Sequence, residues 1–298
     1  MNRLLLPRIV LGHNAFFGVD HLSTKRGADR AAHFSDVKNV VAIVNEAVVS
    51  GAGGLMLSTH PKAAVICRAI QSDPSLVSQL EIFPLLPYAQ KYVTRANELG
   101  LIRVVTQTLA EASLRDKIGL GSDFLRTVFR RDPLDMVKAL MRLELQIFKK
   151  LNVSTVFLHD AISDLILALN MPQIFSLYES TLRKRFGTHY GVATKNLPLL
   201  VRRFQEWDLE LPVVLTHVNK IGFHVNPSLK ECEDALQNPD LTVMAMGTLA
   251  SGFLTPNEAY QYVNRFSSVK SIVVGASTVG HVHATFDAAR NSMRLVNK

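Results

Sequence analysis

Short apolar runs alternate with longer amphipathic ones along nearly the whole chain, and this rhythm restricts the fold more than any other feature. Runs too short for helices fall at Arg8–Leu11, Gly54–Leu57, Glu81–Leu85, Thr155–Leu158, Tyr190–Ala193, Pro212–Thr216, Thr242–Met246 and Ser271–Val274, and read as strands. Helices are expected over Asp36–Val49, Lys62–Gln71, Ala89–Leu99, Pro133–Leu151, Gln173–Phe186, Leu197–Trp207, Pro227–Leu236, Pro256–Phe266 and Gly280–Val296. Several open on N-cap or N1 residues: Ser35-Asp36, Asp132-Pro133, Pro227-Ser228 and Thr255-Pro256. Such an order of βα units, joined by right-handed crossovers, predicts one (β/α)8 TIM barrel over residues 1–298, with its chemistry in the loops that follow the strands. Residues 110–132 break the rhythm with Gly119, Gly121 and basic side chains, and read as an inserted loop or helix excursion.

Composition agrees with one domain: 298 residues, 48% of them hydrophobic, suffice for a large core. The opening Met1-Asn-Arg-Leu-Leu-Leu-Pro has too short an apolar run for a signal peptide, and no run of about 18 apolar residues occurs, so a soluble, cytoplasmic protein is expected. Two cysteines, Cys67 and Cys232, cannot build a disulfide framework or a Cys-rich zinc site. The net charge of +8 gathers between Arg115 and Lys150 and at Arg183-Lys-Arg185. With no nucleic-acid-binding motif beside it, this charge reads as solvated helix faces, compatible with a small anionic ligand, phosphorylated or carboxylated. No nucleic-acid or membrane partner is expected, and oligomerisation stays open.

The last two βα units are the most specific stretch. Leu241-Thr-Val-Met-Ala-Met-Gly-Thr-Leu-Ala-Ser-Gly-Phe-Leu-Thr255 leads into a helix, and Val269-Lys-Ser-Ile-Val-Val-Gly-Ala-Ser-Thr278 leads into another. They resemble the seventh and eighth units of the aldo-keto reductase superfamily. The segment from Asp132 to His159-Asp160 is similar to that family's fourth helix and strand, which end in a catalytic His. Gly191-Val-Ala-Thr-Lys-Asn is similar to its Gly-Val-Ser-Asn-Phe segment, and Val218-Asn-Lys220-Ile-Gly-Phe-His224 to its stretch after the sixth strand. The resemblance implies an aldo-keto-reductase-like barrel with His159 at its site.

The family's reduction uses a Tyr proton donor tuned by a Lys and an Asp, a His that orients the substrate, and hydride from a bound nicotinamide. Of these, only the His has a counterpart, His159. After the second strand this chain has Leu57-Ser-Thr-His60-Pro61 where the family carries the acid and the phenol, and the third strand ends Phe83-Pro-Leu-Leu-Pro87 without the Lys. On the cofactor side the Ser-Asn pair becomes Ala193-Thr194, the Gln becomes Lys220, the stacking aromatic falls at Met246, and the adenine-gripping Glu-Asn becomes Ala284-Thr285. These losses speak against tight NADP(H) binding. What survives is the Gly275-Ala276-Ser277-Thr278 loop, a phosphate-binding helix start.

Two replacements offer themselves. His13, His60, His159 and His217 fall at or just past strand ends, which converge on one barrel face, and could hold a divalent metal ion; a hydrogen-bonded rim histidine is the plainer alternative for each. Lys220 could form a Schiff base if desolvated, or else stand as an exposed anion-binding charge. His159, His60, Asp160 and Lys220 are therefore the catalytic candidates, Gly275 to Thr278 the cofactor loop, and His13, Asn14 and Lys195 the substrate-binding candidates. The expected function is non-redox chemistry of lyase or hydrolase type on an anionic small molecule, assisted by the metal or the Schiff base. The alternatives are an NAD(P)H-dependent oxidoreductase with a rearranged site, in which Tyr88 or a water replaces the phenol, and a non-catalytic ligand-binding barrel.

Overall fold

The computed structural model describes residues 4–20, 22–87 and 133–296. Eight parallel strands pair in sequence order and close into a barrel: β1 (Ile9–Gly12), β2 (Gly54–Ser58), β3 (Glu81–Leu86), β4 (Thr155–Leu158), β5 (His189–Thr194), β6 (Val213–His217), β7 (Thr242–Met246) and β8 (Val269–Gly275). Closure runs through β8 and β1, from the Ile9–Ile272 pair to the Gly12–Gly275 pair. Two expected strands, Thr155–Leu158 and Thr242–Met246, are matched residue for residue.

Around the strands lie α1 (Thr24–His33), α2 (Val37–Val49), α3 (Ala63–Gln71), α4 (Pro74–Gln79), α5 (Pro133–Leu145), α6 (Asp160–Ala168), α7 (Pro172–Phe186), α8 (Leu197–Glu206), α9 (Leu229–Leu236), α10 (Pro256–Val263) and α11 (Val279–Val296). Their starts follow capping chemistry. Asp36 accepts the Lys38 N–H before α2, Asn196 the Leu199 N–H before α8, and Thr255 closes a capping box with Glu258 before α10. Helix α9 begins at Leu229 rather than at Pro227, because Ser228 is the residue whose side chain caps it. The expected helix over Ala89–Leu99 and the 110–132 excursion lie outside the described residues.

Helices α1, α4 and α6 were not anticipated. Only Gly27 of α1 is buried, so no apolar stripe marks that helix in the sequence. It is held by backbone contact instead: a Cβ on Gly27 would stand 2.6 Å from the Gly18 carbonyl oxygen.

Two cores hold the barrel. The outer one lies between strands and helices, and the inner one fills the cylinder with Val10, Met56, Phe83, Phe157, Ala193, Val213, Leu215 and Met244. The two inner phenylalanines are accommodated by glycines on neighbouring strands. A Cβ on Gly54 would lie 2.5 Å from the Phe83 ring, and one on Gly191 would overlap the Phe157 ring. Each buried ring stabilises the fold by roughly 1.5–3 kcal/mol. With the interior packed solid, the loops beyond the strand ends are the expected place for a ligand. No helix among the described residues is long and apolar enough to cross a membrane.

Candidate functional site

The rim after β1 and β2 is built around Phe17. His13 begins the 3-10 turn Asn14–Phe17 and packs its ring 5.2 Å from that of Phe17, while the His60 ring stacks on Phe17 at 4.2 Å and 15°. His13 is 8% exposed, and its Nδ1 lies 3.1 Å from the Met56 carbonyl oxygen on β2. Burial, opposed in part by that hydrogen bond and aided by the charges of His159 and His60, lowers the His13 imidazole to about 4. The ring is neutral, with its proton on Nδ1. His60 Nδ1 accepts the Lys62 N–H at 3.1 Å, and burial followed by the Lys62 charge lowers its proton affinity too. Asn14, next to His13, is exposed.

Across the mouth, β4 ends in His159, which starts α6. Asp160 Oδ1 lies 2.6 Å from His159 Nδ1, and Asp160 Oδ2 lies 3.4 Å from Lys195 Nζ, just past β5. Burial alone would raise the Asp160 carboxyl, but the hydrogen bond and charge of His159, with those of Lys195, hold it well below the usual carboxylate range. The Ala161 N–H also lies 3.2 Å from His159 Nδ1. One nitrogen cannot both donate and accept along one lone-pair direction. We assign the proton to Nδ1, since an ionised carboxylate at 2.6 Å demands a donor. One helical turn on, Asp164 accepts the Thr194 hydroxyl at 2.5 Å and the Lys195 backbone N–H at 3.1 Å. Burial raises the Asp164 carboxyl, and these partners offset it only in part. Asp164 is not among the residues expected from sequence, since no helix is expected between β4 and Gln173; its i, i+4 spacing from Asp160 is the available signal.

The remaining candidates stand apart from this cluster. His217, the last residue of β6, faces His224 at 5.3 Å between ring centroids and presses against Gly247, where a Cβ would overlap its ring. Lys220 is 55% exposed and turns to Glu258 of α10 at 3.8 Å, so it is solvated rather than desolvated as Schiff-base chemistry requires. At the helix end of the loop after β8, Thr278 Oγ1 accepts the His281 N–H at 3.2 Å, and Ser277 Oγ lies 3.2 Å from His281 Nδ1. No heavy atom stands within 4 Å of where a Gly275 Cβ would be.

Neither a protein-family model nor a curated protein matches the sequence, whereas the fold has clear counterparts among solved structures. A Pseudomonas aeruginosa protein assigned to the aldo-keto reductases is 13% identical over 97% of this chain and 92% of that one, with a TM-score of 0.58. An aldo-keto reductase from a Medee basin deep-sea metagenome library is 13% identical over 99% and 93%, with a TM-score of 0.53. The silkworm (Bombyx mori) aldo-keto reductase complexed with NADPH is 13% identical over 99% and 87%, with a TM-score of 0.55. The fold is that of the aldo-keto reductases.

Two expectations are corrected by these findings. Non-redox lyase or hydrolase chemistry has no support, because the barrels that share this aldo-keto reductase fold are reductases. Its metal route fails as well: among the described residues no three His, Cys, Asp or Glu side chains converge into a group that could hold a metal ion. The histidines instead pack in separate contacts: His13 and His60 against Phe17, His159 against Asp160, and His217 against His224. The expectation against NADP(H) is corrected as well, since an aldo-keto reductase neighbour of this shape was solved with NADPH. That expectation weighed lost side-chain contacts, with the Gly275–Thr278 loop as the one feature kept.

Proposed function

We propose that the chain is an NAD(P)H-dependent oxidoreductase with a rearranged site, reducing the carbonyl group of a small molecule. The His159–Asp160 contact of 2.6 Å, at the end of β4 in an aldo-keto-reductase-shaped barrel, is the observation that carries this reading. The residues suit the cofactor at its phosphate end: the start of α11 offers N–H groups, and the open space at Gly275 lets a phosphate approach the backbone. At the ring end Thr194 is occupied by Asp164 and Lys220 by Glu258, so fewer side-chain donors meet the nicotinamide amide than in the family. When bound, the nicotinamide supplies hydride to the carbonyl carbon.

The protein's part is to provide the proton. His159, in its protonated form, gives the Nε2 proton to the carbonyl oxygen as negative charge develops there, and takes another from solvent. Asp160 holds that imidazolium through Nδ1, and Lys195 keeps Asp160 ionised. Asp164 and Thr194 position the Lys195 backbone. Lys195 is 44% exposed and retains outward donors for an anionic substituent on the substrate. Leu85 and Met246, packed on the inner core at the strand ends, floor the mouth and limit water beneath the reacting carbon. Two buried free cysteines, Cys67 and Cys232, suit a cytoplasmic enzyme.

Titration of the full chain with NADPH and NADH by calorimetry, followed by turnover on a panel of aldehydes and ketones, tests the proposal. Saturable binding of one cofactor and reduction of at least one carbonyl are expected. Absence of heat and of melting protection at millimolar concentrations of both cofactors refutes it.

A further inference from the structure

The end of the barrel opposite the mouth holds a polar group that the fold leaves unsatisfied. Glu81 opens β3, and alternation along that strand sets it on the same face as Phe83, which fills the cylinder. Its Oε2 is buried and has no hydrogen-bond partner among the described residues. Other buried or half-buried carboxylates are satisfied: Asp20 by Arg26 and Arg30, Asp160 by His159 and Lys195, and Asp164 by the Thr194 hydroxyl and the Lys195 N–H. Arg8, which precedes β1 at the same end as Glu81, commits its guanidinium to the Val269 carbonyl at 2.7 Å and to Asn264 Oδ1 at 2.8 Å. A buried acceptor without a donor is costly, and a chain with 33 Lys and Arg residues supplies none here.

Glu81 also lines a cleft of about 380 Å³, with Leu5, Leu6, Pro7, Leu80 and Asn152 among its walls. Small-molecule sites run from roughly 300 to 1,000 Å³, so the cleft has room for a compact ligand. Leu6 packs onto the inner core, which makes one wall apolar, while Glu81 brings a negative charge. We infer that this cleft is a second binding site, taking a small aliphatic ammonium compound whose cation donates to Glu81 and whose alkyl body lies against the leucines. A metal ion fits less well, because one carboxylate beside apolar walls supplies few of the oxygens it requires. At the strand starts, where barrels of this kind carry no chemistry, the ligand stabilises the fold rather than reacting. The site is independent of the reductase reading.

Three probes of like shape test it on the full chain: butylamine, which is protonated at neutral pH, neutral 1-butanol and anionic butanoate. Carbon NMR of protein labelled at the glutamate carboxyl groups and melting curves are the readouts, with Glu81→Gln assigning the Glu81 signal. Butylamine should shift that signal saturably and bind about tenfold or more tightly than 1-butanol, the worth of a charge-assisted hydrogen bond. Butanoate should leave the signal in place. Glu81→Gln keeps the shape without the charge, so it should bind butylamine and 1-butanol alike. Free of ligand, that variant should melt no lower than the wild type, because the substitution removes no partner. No saturable shift, equal binding of butylamine and 1-butanol by the wild type, or a preference that survives in Glu81→Gln each overturns the inference. A variant that melts lower or fails to fold overturns it too, since the carboxylate would then be satisfied within the fold.

Discussion

The two halves of the rim carry similar residue types and differ in what surrounds them. On the β1, β2, β4 and β5 side, His13, His60, His159, Asp160 and Asp164 are buried or half-buried, and each is tied to a named partner that fixes its proton. On the β6 and β7 side, His217 is wedged beside Gly247 and His224, and Lys220 reaches across solvent to Glu258. A histidine or lysine at a strand end is thus not a site by position alone. Solvent marks Lys220 as surface, whereas His217 is half-buried and differs from the first group in its neighbours.

If that contrast is right, damage to the first half should be severe and damage to the second slight. The largest effect is expected for His159→Gln, which removes the proposed proton donor and should lower kcat by about 10²–10⁴-fold with little change in cofactor affinity. Steady-state kinetics and NADPH titration of the variant check this, and an unaltered kcat would erase the distinction between the halves.

Next comes pH. The His13 ring takes a proton in the fold only near 4, whereas an unfolded histidine does so near 6.5, so the unfolded chain gains the proton first as pH falls. Stability is full above pH 6.5 and is lost on going down to 4, by on the order of 3 kcal/mol. Melting curves across that window should show the loss in the wild type and not in His13→Asn; parallel curves would mean that the ring titrates normally.

A smaller loss, about 1–3 kcal/mol, is expected for Gly191→Ala, because the added methyl collides with Phe157 inside the barrel and must displace it. Chemical denaturation measures it, and a neutral result would show the inner core to be looser than its packing implies. Smallest of all, Lys220→Ala should leave melting temperature and turnover unchanged, since both partners of its ion pair are exposed. Loss of activity in that variant would restore a role for the second half.

The sequence displayed the barrel well because short apolar strands bounded by capped helices leave few other arrangements, and β4 and β7 were legible to the residue. It displayed the site unevenly. His159 and Asp160 were visible at the end of a strand, whereas Asp164 was hidden in α6, a helix whose start on a histidine cap carries no usual signal. Lys195 read as a substrate-facing charge, and its tie to Asp160 depends on contact between β4 and β5 loops that spacing cannot express. For His217 and Lys220 position was legible but surroundings were not: one is half-buried beside Gly247 and the other stands in solvent, which spacing cannot express. Tyr88, the phenol considered as a substitute donor, lies outside the described residues.

The coupling of His159 and Asp160 to hydride transfer is tested most directly with NADPH deuterated at the transferring position and the carbonyl of the panel that is turned over fastest, read by mass spectrometry of the product. One deuterium on the product carbon is expected in the wild type, with the rate of its appearance falling about a hundredfold or more in Asp160→Asn. Product formed without the label, or labelled at the same rate by both proteins, would contradict it.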